Sequence, residues 1–189
     1  MSPLRRRRPF REPLPVWLLL CEGRVTERDY FHAIRRLGGL RASIRIEPCA
    51  GGLPQLVEEA RRRLSRNNAP DRVWCIADVD DFTPDQVRRA IERAVPDSKV
   101  ALAISNPCFE IWALLHFETC QGFLTKEHAK RRLRKHLPGY EKLLPFEQLA
   151  PRFAEAFERA QALAADSECE GLRNPSTGVH RLVGSLLPL

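Results

Sequence analysis

The sequence predicts an α/β protein: a parallel sheet of about four strands flanked by helices, with a C-terminal helical elaboration. Three observations carry that expectation. Solid apolar runs at 16–21 and 73–77 read as strands covered on both faces, the pattern of a parallel sheet between helix layers. Stretches with apolar residues at helical spacing separate these runs, which gives a βαβαβαβ order and right-handed crossovers. After Ser105 the alternation stops and only helical patterns follow.

Taken in order, strand 16–21 leads to a helix that starts at Thr26, turns Tyr30, Phe31, Ile34 and Leu37 inward, and ends at Gly38-Gly39. Strand 43–49 and the turn Gly51-Gly52 precede a basic amphipathic helix from about Pro54 to Arg66, with Leu56, Val57, Ala60 and Leu64 inward. Asn67-Asn68-Ala69-Pro70 breaks it before strand 73–77. Thr83-Pro84 opens a helix carrying Val87, Ala90, Ile91 and Ala94, and strand 99–104 follows. Asn106-Pro107 has the form of a cap and a proline at the first helical position, starting a helix through Trp112 and Leu115 to about Phe117. Asn174-Pro175 repeats the device ahead of Val179, Leu182, Val183 and Leu186. Two helices of opposite charge are expected between them. Residues 126–142 hold seven Lys and Arg against two Glu, and 143–170 hold six acids against two Arg, with Leu149, Phe153, Ala156, Phe157 and Ala160 as a buried stripe. The expected organisation is a basic disordered arm over 1–13, an α/β core over 14–105 and a helical part over 106–189 that packs on the core.

At 189 residues, with 43% hydrophobic and 29% charged side chains, the chain has the composition of a globular protein. Of the net charge of +7, the first twelve residues carry +4, from Arg5, Arg6, Arg7, Arg8 and Arg11 against Glu12. Such an arm suits an anionic partner, nucleic acid first, or else is simply solvated. The six cysteines form no C-x-x-C pair, which argues against a zinc knuckle or a disulfide framework and for a reducing cytoplasm. No stretch approaches membrane-spanning length, and Pro13 and Pro15 interrupt any signal-peptide pattern.

The acids are the chemical signal. Asp78, Asp80 and Asp81 follow strand 73–77, and Glu22 follows strand 16–21, so both sets emerge at the carboxyl edge of the sheet, where α/β proteins place their sites. Clustered carboxylates repel, and a hard cation such as Mg²⁺ or Mn²⁺ relieves the repulsion. The alternative for the aspartates is to cap the next helix, a task that Asp81 or Thr83 can perform alone. Glu27 stands in a first helical turn, where a dipole role competes with a chemical one. Glu110 lies on an apolar row with Ala113, Leu114 and Phe117 and therefore needs a partner or a metal. His116 and His180 are lone histidines on apolar helices, more often structural than ligating.

Four ordered motifs resemble the RloB family: Cys21-Glu22-Gly23 with Thr26-Glu27; Asp78-Val79-Asp80-Asp81; Asn106-Pro107-Cys108-Phe109-Glu110-Ile111-Trp112 with Leu114 to Phe117; and Asn174-Pro175-Ser176-Thr177 before His180. That family is Toprim-like and is associated with restriction-modification loci and phage defence. More broadly, a Glu after the first strand and an Asp-x-Asp after the third are similar to the Toprim domain of primases, topoisomerases and overcoming-lysogenization-defect nucleases. The resemblance implies a Toprim-like, Rossmannoid core, with Glu22 as general acid/base or metal ligand and Asp78 and Asp80 holding Mg²⁺. No ATPase domain or topoisomerase tyrosine domain accompanies it.

The expected function is therefore metal-dependent nucleic-acid cleavage in antiviral defence, of Mg²⁺-dependent endonuclease type. Glu22, Asp78, Asp80 and Glu110 are the catalytic candidates, and Asp81 joins Glu22, Asp78 and Asp80 as a metal candidate. Arg5 to Arg8, with Lys130, Arg131, Arg132, Arg134 and Lys135, are the candidates for phosphate contact, with a solvated basic face as the alternative for the helix. Glu27, Asn106, His116, Asn174 and His180 are secondary candidates. A partner protein from a defence locus is also expected. Two other readings stand beside this one. The first is a non-catalytic nucleic-acid-binding or sensor subunit. The second is an aspartyl-phosphate phosphoryl-transfer enzyme, disfavoured because its nucleophile usually follows the first strand and Asp78 follows the third.

Overall fold

The computed structural model describes residues 12–79, 82–94, 96–164 and 173–188. Arg5, Arg6, Arg7, Arg8 and Arg11, together with Asp80 and Asp81, lie outside them. The first four strands are β1 (Val16–Cys21), β2 (Ser43–Pro48), β3 (Arg72–Asp78) and β4 (Val100–Asn106), linked by helices α1 (Thr26–Arg35), α2 (Gly52–Leu64) and α3 (Pro84–Ala94). The sheet order is β2-β1-β3-β4-β5, with the first four strands parallel. β5 (Ser176–Thr177) is a two-residue antiparallel edge strand that pairs with Ser105 and Asn106. It adds one strand to the four expected; Ser176-Thr177 carries no apolar alternation to reveal it.

The unbroken apolar runs follow from burial on both faces. Along β1, Leu19 and Cys21 point into one core and Leu18 and Leu20 into the other. In the same way β3 sends Trp74 and Ile76 to the first core, and Val73, Cys75 and Ala77 to the second. Helices α2 and α3 cover the second face with Leu53, Leu56, Val57, Ala60, Val87 and Ala90. At the head of α2, Gly52 has φ +77, and the Phe82 ring lies where its Cβ would be, which fixes the segment after β3 against that helix.

The first face is covered by α1 and by the later helices: α4 (Glu110–Leu115), α5 (Lys126–His136), α6 (Phe146–Leu149), α7 (Phe153–Ala164) and α8 (Val179–Leu186). Every residue of α4 is buried. The Trp112 indole donates to the Tyr30 hydroxyl at 2.7 Å, and Tyr30 meets Phe31 and Phe109 edge to face. Burying aromatic side chains of this size contributes about 1.5–3 kcal/mol each, so this cluster locks α4 onto α1. At the far end of α4 the Arg159 guanidinium of α7 takes the Leu115 carbonyl at 2.6 Å, supplying a partner to an otherwise orphan helix-end acceptor.

Several sequence expectations change here. Asn106 is not a helix cap: it is the last residue of β4, paired with Ser176 of β5 one residue beyond the end of the ladder to β3. The helix after it begins at Glu110 and ends at Leu115, short of Phe117. Asn174 does not cap α8 either, because β5 intervenes and Gly178 stands at that helix's head. Both Asn-Pro bonds are cis. They sit side by side: the Asn174 amide donates to Asn106 Oδ1 at 3.2 Å and to the Leu124 carbonyl at 2.8 Å, and its Oδ1 accepts the Leu124 N–H at 2.8 Å. Between α4 and Asn174 the described residues form three α-helices and a 3-10 turn rather than two helices, since Pro138-Gly139 and Pro145 divide the segment.

Candidate functional site

Neighbouring parallel strands bring their carboxyl ends to one edge, and β1 and β3 are neighbours. Glu22 therefore emerges beside Asp78. Its N–H bonds the Ile76 carbonyl at 3.0 Å, and its Oε2 accepts the Asp78 N–H at 3.2 Å. Both side chains are half-buried.

Next to this pair lies a cleft of about 320 Å³. Its floor is Asp78 and the segment from Gly23 to Glu27; one wall is Phe109 and Glu110 at the start of α4; the other is Lys126 and Lys130 of α5, with Lys142 beyond. Glu27 is 5% exposed and Glu110 is 5% exposed, so two carboxylates are sunk into the protein at the wall of the cleft. The Trp112–Tyr30 bond sets their relation, since Glu27 precedes Tyr30 by one helical turn and Glu110 opens the helix that carries Trp112.

A buried carboxylate needs partners. Glu110 Oε1 accepts the Tyr140 hydroxyl at 2.9 Å and lies 3.7 Å from Lys130 Nζ. Glu27 is seated over Gly23: a Cβ built at that glycine falls on the Glu27 carboxylate, so only a residue without a side chain leaves room for it. Burial, reinforced by the charges of Glu110 and Glu22, pushes the Glu27 carboxyl above its ordinary range, while its own backbone N–H and the Lys126 ammonium pull the other way. Burial first, then the charges of Glu110 and Asp78, pushes up the Cys108 thiol. Tyr140 is raised by burial and by Glu110, which keeps its hydroxyl a donor.

The structure thus brings together Glu22 with Asp78, and Glu27, Glu110, Asp78 and Lys130 around one cleft. Asp80 and Asp81 lie outside the described residues. Among those described, no group of three His, Cys, Asp or Glu side chains converges closely enough to hold a metal ion. The donors present, carboxylates on adjacent strand ends, are of the hard-oxygen kind that Mg²⁺ and Mn²⁺ take.

The other candidates stand apart from the cleft. His116 Nδ1 lies 2.9 Å from the Trp112 carbonyl, its ring packs against Trp112 and Phe153, and burial pushes it down to about 4. His180 Nδ1 lies 2.9 Å from the Thr177 carbonyl with its ring against Phe157. Asn106 and Asn174 bind each other. In the basic helix, Arg132 donates to Glu118 at 2.7 Å and to the Thr119 carbonyl, and Arg134 donates to the Tyr140 carbonyl at 3.0 Å. Arg131 and Lys135 are exposed.

Sequence reasoning missed Lys126, Lys142 and Tyr140 as parts of the site. The two lysines open and close the basic segment 126–142, so their charge was visible and their direction was not. Tyr140 reaches Glu110 across thirty residues of chain, and no local pattern announces that contact.

Among the described residues, no helix is long and apolar enough to cross a membrane. No curated protein and no solved structure matches the chain. A family model described as RloB-like protein matches residues 17–186, which is most of the chain. The four motifs and this match agree: the chain belongs to the RloB-like protein family.

Proposed function

We propose that the protein is a Toprim-like, divalent-metal-dependent nuclease acting in antiviral defence. The observation that carries this reading is the meeting of Glu22 and Asp78 at the carboxyl ends of adjacent parallel strands, beside a cleft lined with lysines. Glu22, Asp78 and Asp80 would hold Mg²⁺ or Mn²⁺. When bound, the ion supplies charge neutralisation at the scissile phosphate and a water of lowered pKa.

The chain's own residues do the rest. Glu22 takes the proton of the attacking water as its oxygen bonds to phosphorus; the bond to the leaving oxygen breaks, and that oxygen picks up a proton from solvent. The Tyr140 hydroxyl and Lys130 hold Glu110 in place at the wall of the cleft. The basic arm supplies phosphate contacts.

Purified protein with 5 ′-labelled DNA and RNA, in Mg²⁺, in Mn²⁺ and in EDTA, tests the reading. The expected result is cleavage that needs metal and is abolished by Glu22→Gln, Asp78→Asn or Asp80→Asn. Cleavage in EDTA, or cleavage that survives these substitutions, overturns it. The pairing of Lys130 with Glu110 is what a non-catalytic binding subunit would also show. Nucleic-acid binding with no metal-dependent cleavage favours that second reading.

A further inference from the structure

We propose that a hollow at the carboxyl end of α2, on the opposite edge of the sheet from Glu22 and Asp78, binds a phosphate group through Arg45 and Arg66. The site stands apart from the proposed nuclease centre and does not depend on it.

Strand direction builds the hollow. Ile44 and Ile46 of β2 point into the first core, so Arg45 between them points to the second face, beside its register partner Leu18 of β1. Helix α2 lies on that face and runs back against the parallel strands. Its last turn therefore arrives at their amino ends, bringing Arg63, then Arg66, and the loop residues Asn67, Asn68 and Pro70 that lead into β3. Together these residues line about 340 Å³, at the small end of ligand sites, which suits a phosphate group rather than a whole cofactor. Three arginines and two asparagines supply N–H donors, and among the described residues no acid lines the hollow.

The acids nearby are already answered. Glu47 and Glu59 bind the Arg63 guanidinium at 2.7 and 2.6 Å, and Glu59 also binds Arg62. Arg63 is thus a wall of the hollow and not a free cation. Glu58 lies 3.6 Å from Arg93, and Asp71 accepts the Val16 N–H at 2.7 Å. By contrast, the side chains of Arg45, Arg66, Asn67 and Asn68 are exposed and have no hydrogen-bond or ion-pair partner among the described residues.

The acids outside the described residues join the chain elsewhere. Asp80 and Asp81 precede Phe82, whose ring meets Gly52 at the head of α2, about 20 Å along that helix from the hollow. Asp166, Glu168 and Glu170 come between α7, which packs on the first face, and Asn174, which is bonded to Asn106 of β4 at the far side of the sheet. Residues 1–11 contain no acid.

The carboxyl end of a helix ordinarily repels an anion, because its last carbonyls carry partial negative charge. Here those carbonyls are occupied. Arg61's accepts the Ser65 N–H at 3.1 Å, Arg62's the Ser65 hydroxyl at 3.0 Å, and Arg63's the Arg66 N–H at 3.4 Å. Two guanidiniums and two carboxamides remain on offer. A guanidinium presents paired N–H groups that match phosphate oxygens, and the amides donate to the oxygens left over. The phosphate belongs either to a nucleic-acid strand or to a free ion or small ester.

Arginine Nε–Hε resonances of the full chain in EDTA test the site, followed as inorganic phosphate replaces chloride at constant ionic strength. Thymidine monophosphate and a short single-stranded oligothymidylate are the companion probes. Saturable shifts are expected at Arg45 and Arg66 at millimolar phosphate. Arg61, an exposed arginine of α2 outside the hollow, should not move. Arg45→Ala and Arg66→Ala should each weaken binding about tenfold, the loss of one charge-assisted bond, and Arg61→Ala by less than about twofold. Asn67→Asp, which sets a carboxylate in the hollow, should abolish it. These side chains are exposed, so every variant should melt within about 2 °C of wild type. Oligothymidylate that binds more tightly than phosphate, and loses that affinity in both arginine variants, identifies a nucleic-acid phosphate. Oligothymidylate binding indifferent to the two arginines, with phosphate and thymidine monophosphate dependent on them, identifies a free ion or small ester. No saturable shift with any of the three probes overturns the inference. Equal losses in Arg61→Ala, Arg45→Ala and Arg66→Ala overturn it as well, since they would reduce the hollow to diffuse positive charge.

Discussion

Gly23→Ala probes the seat of Glu27. The backbone at Gly23 lies outside the left-handed region, so alanine fits its conformation, and the obstacle is the Glu27 carboxylate that occupies the place of the new methyl. Accommodating a methyl in a filled site costs about 1–3 kcal/mol. Reduced freedom of the unfolded chain returns about 0.4–1 kcal/mol. The single substitution should therefore destabilise by about 0–2.6 kcal/mol. In a Glu27→Ala background the obstacle is gone, and the same change should stabilise by about 0.4–1 kcal/mol. The coupling between the two sites is then about 1–3 kcal/mol, well beyond the ~0.5 kcal/mol within which independent sites add. Urea unfolding of the four proteins of the cycle at pH 7 in EDTA measures it. Additivity would show that the Glu27 carboxylate does not sit over Gly23 in solution, and the cleft as described would lose part of its floor.

Three further outcomes follow from the same structure. His116, pushed down to about 4 by burial, binds a proton more weakly in the folded than in the unfolded state; its contribution is complete above pH 6.5 and is lost as pH falls toward 4. That loss is at most about 3 kcal/mol, and His116→Phe should flatten the acid limb of a melting-temperature profile between those pH values. Asn174→Ala removes three hydrogen bonds, to Asn106 and to both backbone groups of Leu124, and should lower stability by about 1–3 kcal/mol in urea unfolding. Deleting residues 1–12 should weaken nucleic-acid binding for all sequences alike and flatten its salt dependence; an unchanged slope at three salt concentrations makes the arm a solvated tail.

What the sequence made legible depends on how local the cause is. The runs Val16–Cys21 and Val73–Ala77 declare buried strands because every residue in them is apolar, and the acids that follow are placed at the carboxyl edge by strand direction alone. The adjacency of Glu22 and Asp78 needed only the sheet order. Asn106-Pro107 misled because the same dipeptide suits a helix start or a strand end, and pairing with β5 decides for the strand. The burial of Glu27 was equally out of reach. A first-turn glutamate is normally solvated, and this one is covered because Tyr30 and Trp112 draw α4 down beside it. Lys126 and Lys130 share that origin, as their direction is set by how α5 packs on α4 and not by their spacing.

Anomalous diffraction from crystals grown with millimolar Mn²⁺ tests the central claim most directly, because it locates the metal without a substrate. The account predicts a peak at the carboxyl ends of β1 and β3, within coordination distance of carboxylate oxygens of Glu22 and Asp78, and lost in the Asp78→Asn variant. A peak elsewhere, or none at that concentration, contradicts the metal assignment and with it the proposed nuclease.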